Sequence, residues 1–574
     1  MHNVALRAIT AAAVLAVFSG ATQLCRGQQS VNSSPWIEDA DFVANTIRST
    51  HPMAFRRISA QQFEQELVQY RVAAGGLSDD EAMVRLMTIV ASIRDGHTGL
   101  FPGTDARWFP VRCYELADGV FITAIDGRFA WAAGARVLSV AGHPVDEVLR
   151  SLKSVFPSDN DFGAKQAAVF FSFPRILHGL GLIPDTSTLS LVVRLEDGSQ
   201  RNLELPGVDG KPGGDFFYNS IGELGGPPGT DLITAFAGRA REVYLQDPTK
   251  NLDLPLYLRS RRAYWFTYLE PQHTMYVQIN ALVTRSALSN ETFAEFVKKL
   301  FHAADRVRID RFIIDIRDNS GGNGNLVNTF VHEIIKRDAI NQQGKLFTIT
   351  GGKTFSAAAG LLVSLMQHTQ TAVVGEPAGV ALNSAGDADS FTLPNSKMLL
   401  NVSTNFFVEG RFKDLGWTIP VQFPALMTSA DYFGGHDPAM ALILSGETDR
   451  SVLDVLQKEG GEAARRLYEE RKSKFGQLDW WQPFPQGQMN DAGYRLLESK
   501  RYDDAIAAFR MNVDRYPASW DVWDSLAEGL MDADKFSEAI TAYQKALQIS
   551  PTNWNAGEER KAIAKMQVSA ADAK

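Results

Sequence analysis

The chain has 574 residues, 45% of them hydrophobic and 21% charged, with a formal net charge of -9. That length exceeds what one hydrophobic core serves, so three or four domains are expected. The negative balance and the lack of a basic stripe argue against nucleic acid as the main partner, since phosphate binding needs a basic surface.

The first residues, "MHNVALRAITAAAVLAVFSGATQLCRGQQS", run from a lightly basic start (His2, Arg7) through an apolar stretch from Ala8 to Phe18 into small residues. This is the layout of a secretory signal peptide, and the stretch is too short to span a bilayer as a mature helix. Cleavage after Ala21 and cleavage after Gly27 both fit. Cys25 lacks the small residues expected just before a lipidated cysteine, which argues against a lipoprotein anchor. Cleavage after Gly27 leaves Cys113 as the one cysteine, so no intrachain disulfide forms. No later segment is apolar for long enough to cross a membrane. An exported chain without an integral membrane segment is expected.

Between Asp39 and Leu100 apolar residues recur at helical spacing and predict about three helices, one of them starting at Ser78 with acids in its first turn. From Trp108 to about Leu205 the pattern becomes short and alternating. "RVLSVAGHPVDEVLRSL" reads as strand, turn and helix, and "LSLVVRLEDGSQRNLEL" as two strands joined by Asp-Gly. Residues 206–231 are rich in Gly and Pro and read as loop. From Tyr264 strands alternate with helices through about Leu444, which predicts an α/β layer architecture.

At the C-terminal end Tyr502 and Phe536, Ala505 and Ala539, Ile506 and Ile540, Phe509 and Tyr543, and Pro517 and Pro551 recur at a spacing of 34 residues. That period with those residue types is the tetratricopeptide pattern of stacked helix pairs. Two repeats are fewer than a free-standing solenoid needs, so this region is expected to lean on the main body. The division predicted is a signal peptide at 1–27, an N-terminal helical domain at 33–107, a β-rich module at 108–205 and a linker with insertion at 206–263. An α/β core follows at 264–450, then a linker helix at 451–488, the repeats at 489–565 and a tail at 566–574.

The chemistry concentrates in two stretches of the core. In "RFIIDIRDNSGGNGN" an apolar strand runs into Gly321 and Gly322, and paired glycines after a buried strand turn the backbone sharply and leave amides pointing into open space. In "GGKTFSAAAG" Ser356 stands where an apolar helix begins, as an N-cap or as a nucleophile beside the amide of Ala357. The ten histidines show no HExxH and no close CxxC grouping exists, so neither a metal nor a cofactor is expected.

The pieces "FIIDIRDNSGGN", "KTFSAAAGLLVSLM", "TAVVGEPAG", "LPNS" and "GWTIP", in this order between Thr274 and Ala439, resemble the serine peptidases of the tail-specific (C-terminal-processing) and tricorn family. The resemblance implies a ClpP/crotonase-like core with Ser356 as nucleophile and an oxyanion hole from Gly321 or Gly322, with Ala357 beside it. One branch of the family uses a lysine about twenty-five residues after the serine; here that position is Ala381, and no lysine lies between Lys353 and Lys397. The tricorn-like branch takes a histidine from an N-terminal segment, and "SIRDGHTGL" makes His97 the implied general base. Asp95, two residues earlier, is read as a turn residue. The implied third member is an acid late in the core, Asp414 in "GRFKDLGWTIP", with Glu409 as the fallback. "GARVLSVAGHPVDEVLRSL" resembles the strand-turn-helix portion of the family's PDZ domains, which capture peptide ends at a sheet edge.

The expectation is therefore a multidomain α/β protein: an N-terminal helical domain, a PDZ-like β-module, a ClpP/crotonase-like core and a C-terminal tetratricopeptide pair. Its function is that of an exported serine peptidase acting on unfolded polypeptides or peptide ends, with a protein partner at the repeats. The alternatives are a peptide-binding scaffold of the same fold that has lost turnover, favoured by Ala381 and by Ala359 where the family's motif has an acid, and hydratase or isomerase chemistry borrowed from the fold class.

Overall fold

A computed structural model describes residues 34–103, 107–209, 232–236, 239–241, 254–260, 262–410 and 416–572. The expected signal peptide and Asp414 lie outside them. Three helices open the described chain, Pro35–Thr50, Ala60–Ala73 and Asp79–Ala91. Ser59 and Ser78 begin the second and third through capping boxes with Gln62 and Glu81, each satisfying two otherwise orphaned amides. Val43, Ile47, Phe63, Leu67, Leu86 and Val90 bury the shared face completely.

The strands between Val111 and Pro206 form one antiparallel sheet with the helix Val145–Val155 against it. The Thr188–Arg194 and Gln200–Pro206 strands pair through the turn at Gly198, whose φ of 83° suits the Asp-Gly signal in the sequence. Two findings correct the sequence division. Leu232–Phe236 pairs with Gly119–Asp126, and Arg239–Arg241 pairs with Leu232–Phe236, so part of the segment read as linker extends this sheet. The N-terminal helices and the β-module also bury side chains in one continuous core, which takes in Leu393, Met398 and Leu400 from a distant hairpin. Composition shifts marked a boundary near 107 where apolar burial recognises none.

The α/β core holds six strands in the order Tyr264–Leu269, Thr274–Ile279, Arg311–Asp315, Leu346–Thr350, Ala372–Gly375 and Phe423–Pro424. The first pair is antiparallel and the rest are parallel. Side chains alternate between faces, as strand geometry requires. Phe312, Ile314, Leu346 and Val373 pack on the side of helices Phe293–Ala304, Val327–Ile335 and Ala357–His368, whereas Ile313, Phe347, Ile349 and Val374 pack with Ala439, Met440 and Ile443. A long hairpin, Asn383–Thr392 and Leu399–Val408, leaves the sheet and captures the short strand Gly99–Phe101 in antiparallel register, Gly99 opposite Asn401 and Phe101 opposite Leu399. At the hairpin tip, buried Asp39 accepts the amides of Asn395 and Ser396 at 2.9 and 2.8 Å. These contacts hold the N-terminal segment against the core.

Five helices from Gln486 to Asp572 stack, each against the next in sequence. Gly493 and Gly529 allow the Phe509 ring to lie directly on two neighbouring helices, since a Cβ on either would stand 2.4 and 2.9 Å from it. The segment 451–488, read as a linker helix, instead supplies two helices, Val452–Glu459 and Gly461–Phe475, whose Leu456 and Tyr468 join the core of the repeats. Its amphipathic spacing serves burial and not a tether. Trp481 fastens this unit to the sheet: it bridges to Val421, its indole donates to the Gln422 carbonyl at 3.2 Å, and its own carbonyl accepts from Arg515 Nε at 2.9 Å. Among the described residues no helix is long and apolar enough to cross a membrane.

Trp481 is 1% exposed, so Trp481→Ala is expected to cost about 3–5 kcal/mol. Urea unfolding checks the magnitude, and limited proteolysis should release the helical repeats from the core at lower urea than in the parent.

Candidate active site

Ser356 precedes the helix Ala357–His368 at the N-cap position, yet its side chain accepts no hydrogen bond from the helix. Its backbone has φ 52° and ψ -130°, a conformation rare for any residue but glycine and costing about 1–3 kcal/mol. The surroundings impose it. Thr354 donates through Oγ1 to the Ile316 carbonyl at 2.8 Å, Phe355 donates its amide to the Asn319 carbonyl at 3.0 Å, and Ala358, Leu361, Leu362 and Leu365 are fully buried behind it. A serine held in strain at a buried helix N-terminus, without capping, has its hydroxyl available for other work.

The neighbouring loop after the Arg311–Asp315 strand turns through Gly321 and Gly322, at φ 111° and 125°. Leu282 clamps it, donating to the Gly321 carbonyl at 2.8 Å and accepting from the Asn323 amide at 2.7 Å. A Cβ on Gly321 would fall 2.7 Å from Ser356 Cβ, so glycine is what lets the two loops touch. The Gly321 amide itself donates to Asn319 Oδ1 at 2.8 Å, which corrects the expectation that it serves as a donor to substrate. Among the described residues the amides of Gly322 and Ala357 have no acceptor.

His97 arrives from the turn between the helix Asp79–Ala91 and the captured strand Gly99–Phe101. Its ring stacks on Phe355, the residue before Ser356, with centroids 4.3 Å apart and 26° between planes. Gly96 permits this approach, since a Cβ there would meet the Phe355 ring at 2.7 Å. The ring edge faces Gly386, whose Cβ would stand 3.5 Å from Cε1. His97 and Ser356 line one cavity of 520 Å³ together with Gly322, Ala357, Asp387 and Glu409. The two residues, about 260 positions apart in sequence, thus share a wall, but neither ring nitrogen has a hydrogen-bond partner among the described residues. The expected Ser356–His97 hydrogen bond is not formed. Burial lowers the His97 pKa from the ordinary imidazole value, against opposing pulls from the charges of Asp95 and Asp387 and from the nearby Ala385 backbone.

Four acids bear on the site. Glu409 lines the cavity half-buried, and burial raises its carboxyl pKa. Asp387 is exposed at an irregular point of the hairpin with φ 53°, its Oδ2 held by Asn405 at 2.9 Å. Asp95, which the sequence presents as a turn residue, is instead 6% exposed and heavily bonded. Its Oδ2 accepts from His51 Nε2 at 2.9 Å and from Thr98 and Ser403 hydroxyls at 2.6 Å each, while its Oδ1 accepts the His97 amide at 3.0 Å. Burial alone would raise this carboxyl; the His51 hydrogen bond and the charges of His97 and His51 hold it well below the usual carboxylate range. Asp159 pins the turn from the far side, accepting the Gly96 amide at 3.0 Å, with its pKa pushed up to about 8 by burial and by the charge of Asp95. The sequence signal for Asp95 was its spacing, with Thr98 three residues on, but His51 and Ser403 come from remote segments.

Ala381 lines the cavity where one family branch would place a lysine. Lys353, three residues before Ser356, faces away: its Nζ sits 3.6 Å from Asp318 Oδ1 and over the Tyr114 ring, and burial lowers its pKa to about 8.

The tetratricopeptide repeat family model matches residues 520–553. No curated protein matches the sequence. Among solved structures, the chain is similar to mature CPAF complexed with lactacystin at 13% identity and a TM-score of 0.48, covering 72% of this chain and 100% of that one. It is similar to the photosystem II D1 C-terminal processing protease at 12% identity and a TM-score of 0.31, over 71% of this chain and 98% of that one. It is also similar to the tricorn protease at 12% identity and a TM-score of 0.32, over 72% of this chain and 36% of that one.

Gly321→Ala is expected to push Ser356 out of place while leaving the fold intact. A shift near 1 Å should slow serine-directed labelling by a fluorophosphonate about 100-fold, read as a labelling rate in protein shown to be folded by circular dichroism, with the melting temperature lowered by an alanine at positive φ.

Proposed function

We propose that the chain is a serine peptidase of the tail-specific and tricorn type, built on a ClpP/crotonase-like core, in which Ser356 attacks a peptide carbonyl. The observation that carries this reading is the convergence, on one cavity, of a strained uncapped serine, a partly buried histidine and two amides without acceptors. A serine hydroxyl is a weak nucleophile until a base of near-neutral pKa takes its proton. His97 takes that role once substrate fills the cavity and draws the imidazole to Ser356 Oγ, in keeping with catalytic hydrogen bonds that tighten only in complexes. The amides of Gly322 and Ala357 hold the tetrahedral oxyanion. The protonated ring then gives its proton to the leaving amine, and water repeats the sequence to release the acyl group.

Unfolded polypeptides or peptide ends fit the cavity and the flanking modules. The β-module is read as PDZ-like, taking a peptide end, and the repeats as docking a protein partner. The leader-like first 27 residues assign the chain to an exported pool. The competing reading, a scaffold that binds peptide without turnover, draws on the missing Ser356–His97 hydrogen bond.

A fluorophosphonate probe separates the two. Wild type should label at one serine, and Ser356→Ala and His97→Ala should each lower the rate at least about 1,000-fold; an unlabelled wild type supports the scaffold, and labelling that persists in Ser356→Ala moves the nucleophile elsewhere. Cleavage of an unfolded protein substrate then distinguishes peptidase from esterase. Because burial lowers the His97 pKa, the neutral base persists into mild acid. Activity should therefore fall on acidification with a midpoint below the ordinary histidine value of about 6.5, read from kcat/KM against pH.

A further inference from the structure

The general base of a serine hydrolase needs an anionic partner behind it, and sequence motifs pointed to an acid late in the core. We propose that this partner is Asp95, itself fixed by His51, so that His51, Asp95 and His97 form a chain of positioning contacts ending at Ser356. The inference rests on the peptidase reading above and names the residues that orient its base.

Of the two carboxylates among the described residues that act on the His97 ring, the geometry favours Asp95 over Asp387. Asp95 Oδ1 lies 3.9 Å from His97 Nδ1 and already accepts the His97 amide, so carboxylate and ring are held on one rigid turn. A small ring movement makes the Nδ1–H to Oδ1 hydrogen bond and leaves Nε2 as the basic nitrogen. Asp387, the other carboxylate acting on the ring, is exposed, and water screens an exposed charge strongly. Asp95 is buried, where its field is felt nearly undiminished.

His51 completes the arrangement. Its Nδ1 accepts the Met53 amide at 3.0 Å, which places the proton on Nε2, and that proton points at Asp95 Oδ2 at 2.9 Å. Three donors on Oδ2 keep Asp95 ionised and stop its carboxylate from rotating, so Oδ1 remains directed at His97. No proton leaves His51 or reaches Asp95 in this scheme; both are positioning residues. The charged and titratable groups around the pair are His51, Asp159 and Asp387, with Ser356 and Phe355 on the nucleophile side.

Asp95→Asn tests it. The amide oxygen can keep the three donors of Oδ2, while the NH2 at the Oδ1 position gives up the His97 backbone amide and opposes the required tautomer. With the full-length protein, fluorophosphonate labelling at neutral pH should fall about 100- to 10,000-fold. The NMR titration midpoint of His97, followed in histidine-selective 15N-labelled protein, should move to lower pH because a stabilising negative charge is gone. A labelling rate within threefold of wild type, or a slower rate with an unmoved His97 titration, overturns the proposal and leaves Asp95 a structural residue. A wild type that does not label sinks the peptidase reading itself. Should Asp95→Asn not fold, His51→Ala and His51→Gln decide: loss in the first with recovery in the second, whose amide restores a donor to Asp95, is expected, and equal rates in both overturn it.

Discussion

Three residues of backbone pairing, Gly99–Phe101 against Leu399–Asn401, hold the candidate site together. Without that short antiparallel ladder the turn carrying His97 would belong to the N-terminal helices and Ser356 to a separate α/β core. Side-chain bonds reinforce it: the Ser403 amide donates to Thr98 Oγ1, the Ser403 hydroxyl to Asp95, and Asp39 receives the amides at the hairpin tip. Asp39, Asp95, Thr98 and Ser403 are buried, so breaking their bonds leaves unsatisfied polar groups, which cost about 1–3 kcal/mol each. The apolar core shared by the helices, the β-module and the hairpin makes the same join from the other side. The site is thus a property of an interface within the chain.

On the core side the constraint is different in kind. The loops at 317–323 and 351–356 are stitched to each other through Thr354, Phe355, Asn319 and the Lys353–Asp318 pair. That stitching holds Ser356 in a conformation its side chain disfavours, and two glycines at positive φ give the room. Strain at one residue persists when its neighbours over-determine it. A serine that capped its own helix would relieve the strain and lose its availability.

Much of this was legible in sequence because it was local. The α/β alternation from Tyr264 followed from hydrophobic period, the hairpin at 188–206 from Asp-Gly, and the repeats from a 34-residue recurrence. Ser356, Gly321 and Gly322 announced themselves by composition beside apolar runs. The errors share one cause, that burial joins segments regardless of separation. Leu232–Phe236 looked like linker because its partner strand, Gly119–Asp126, lies more than a hundred residues away. The helices at 452–475 looked like a tether because the core they complete lies beyond them. Asp95 looked like an ordinary turn aspartate because His51 and Ser403 are invisible from its neighbourhood.

By itself the sequence determined the parts: which stretches are strands and helices, where glycine must bend the chain, and that a serine, a histidine and loop amides were on hand. Periodicity and turn chemistry act over a few residues, and for that range one sequence suffices. Tertiary structure alone decided which loop amides remain open, and that His97 lies on Phe355 within the wall of the Ser356 cavity. Those are matters of through-space distance between segments hundreds of residues apart, and only the folded backbone, closing around shared apolar cores, sets them.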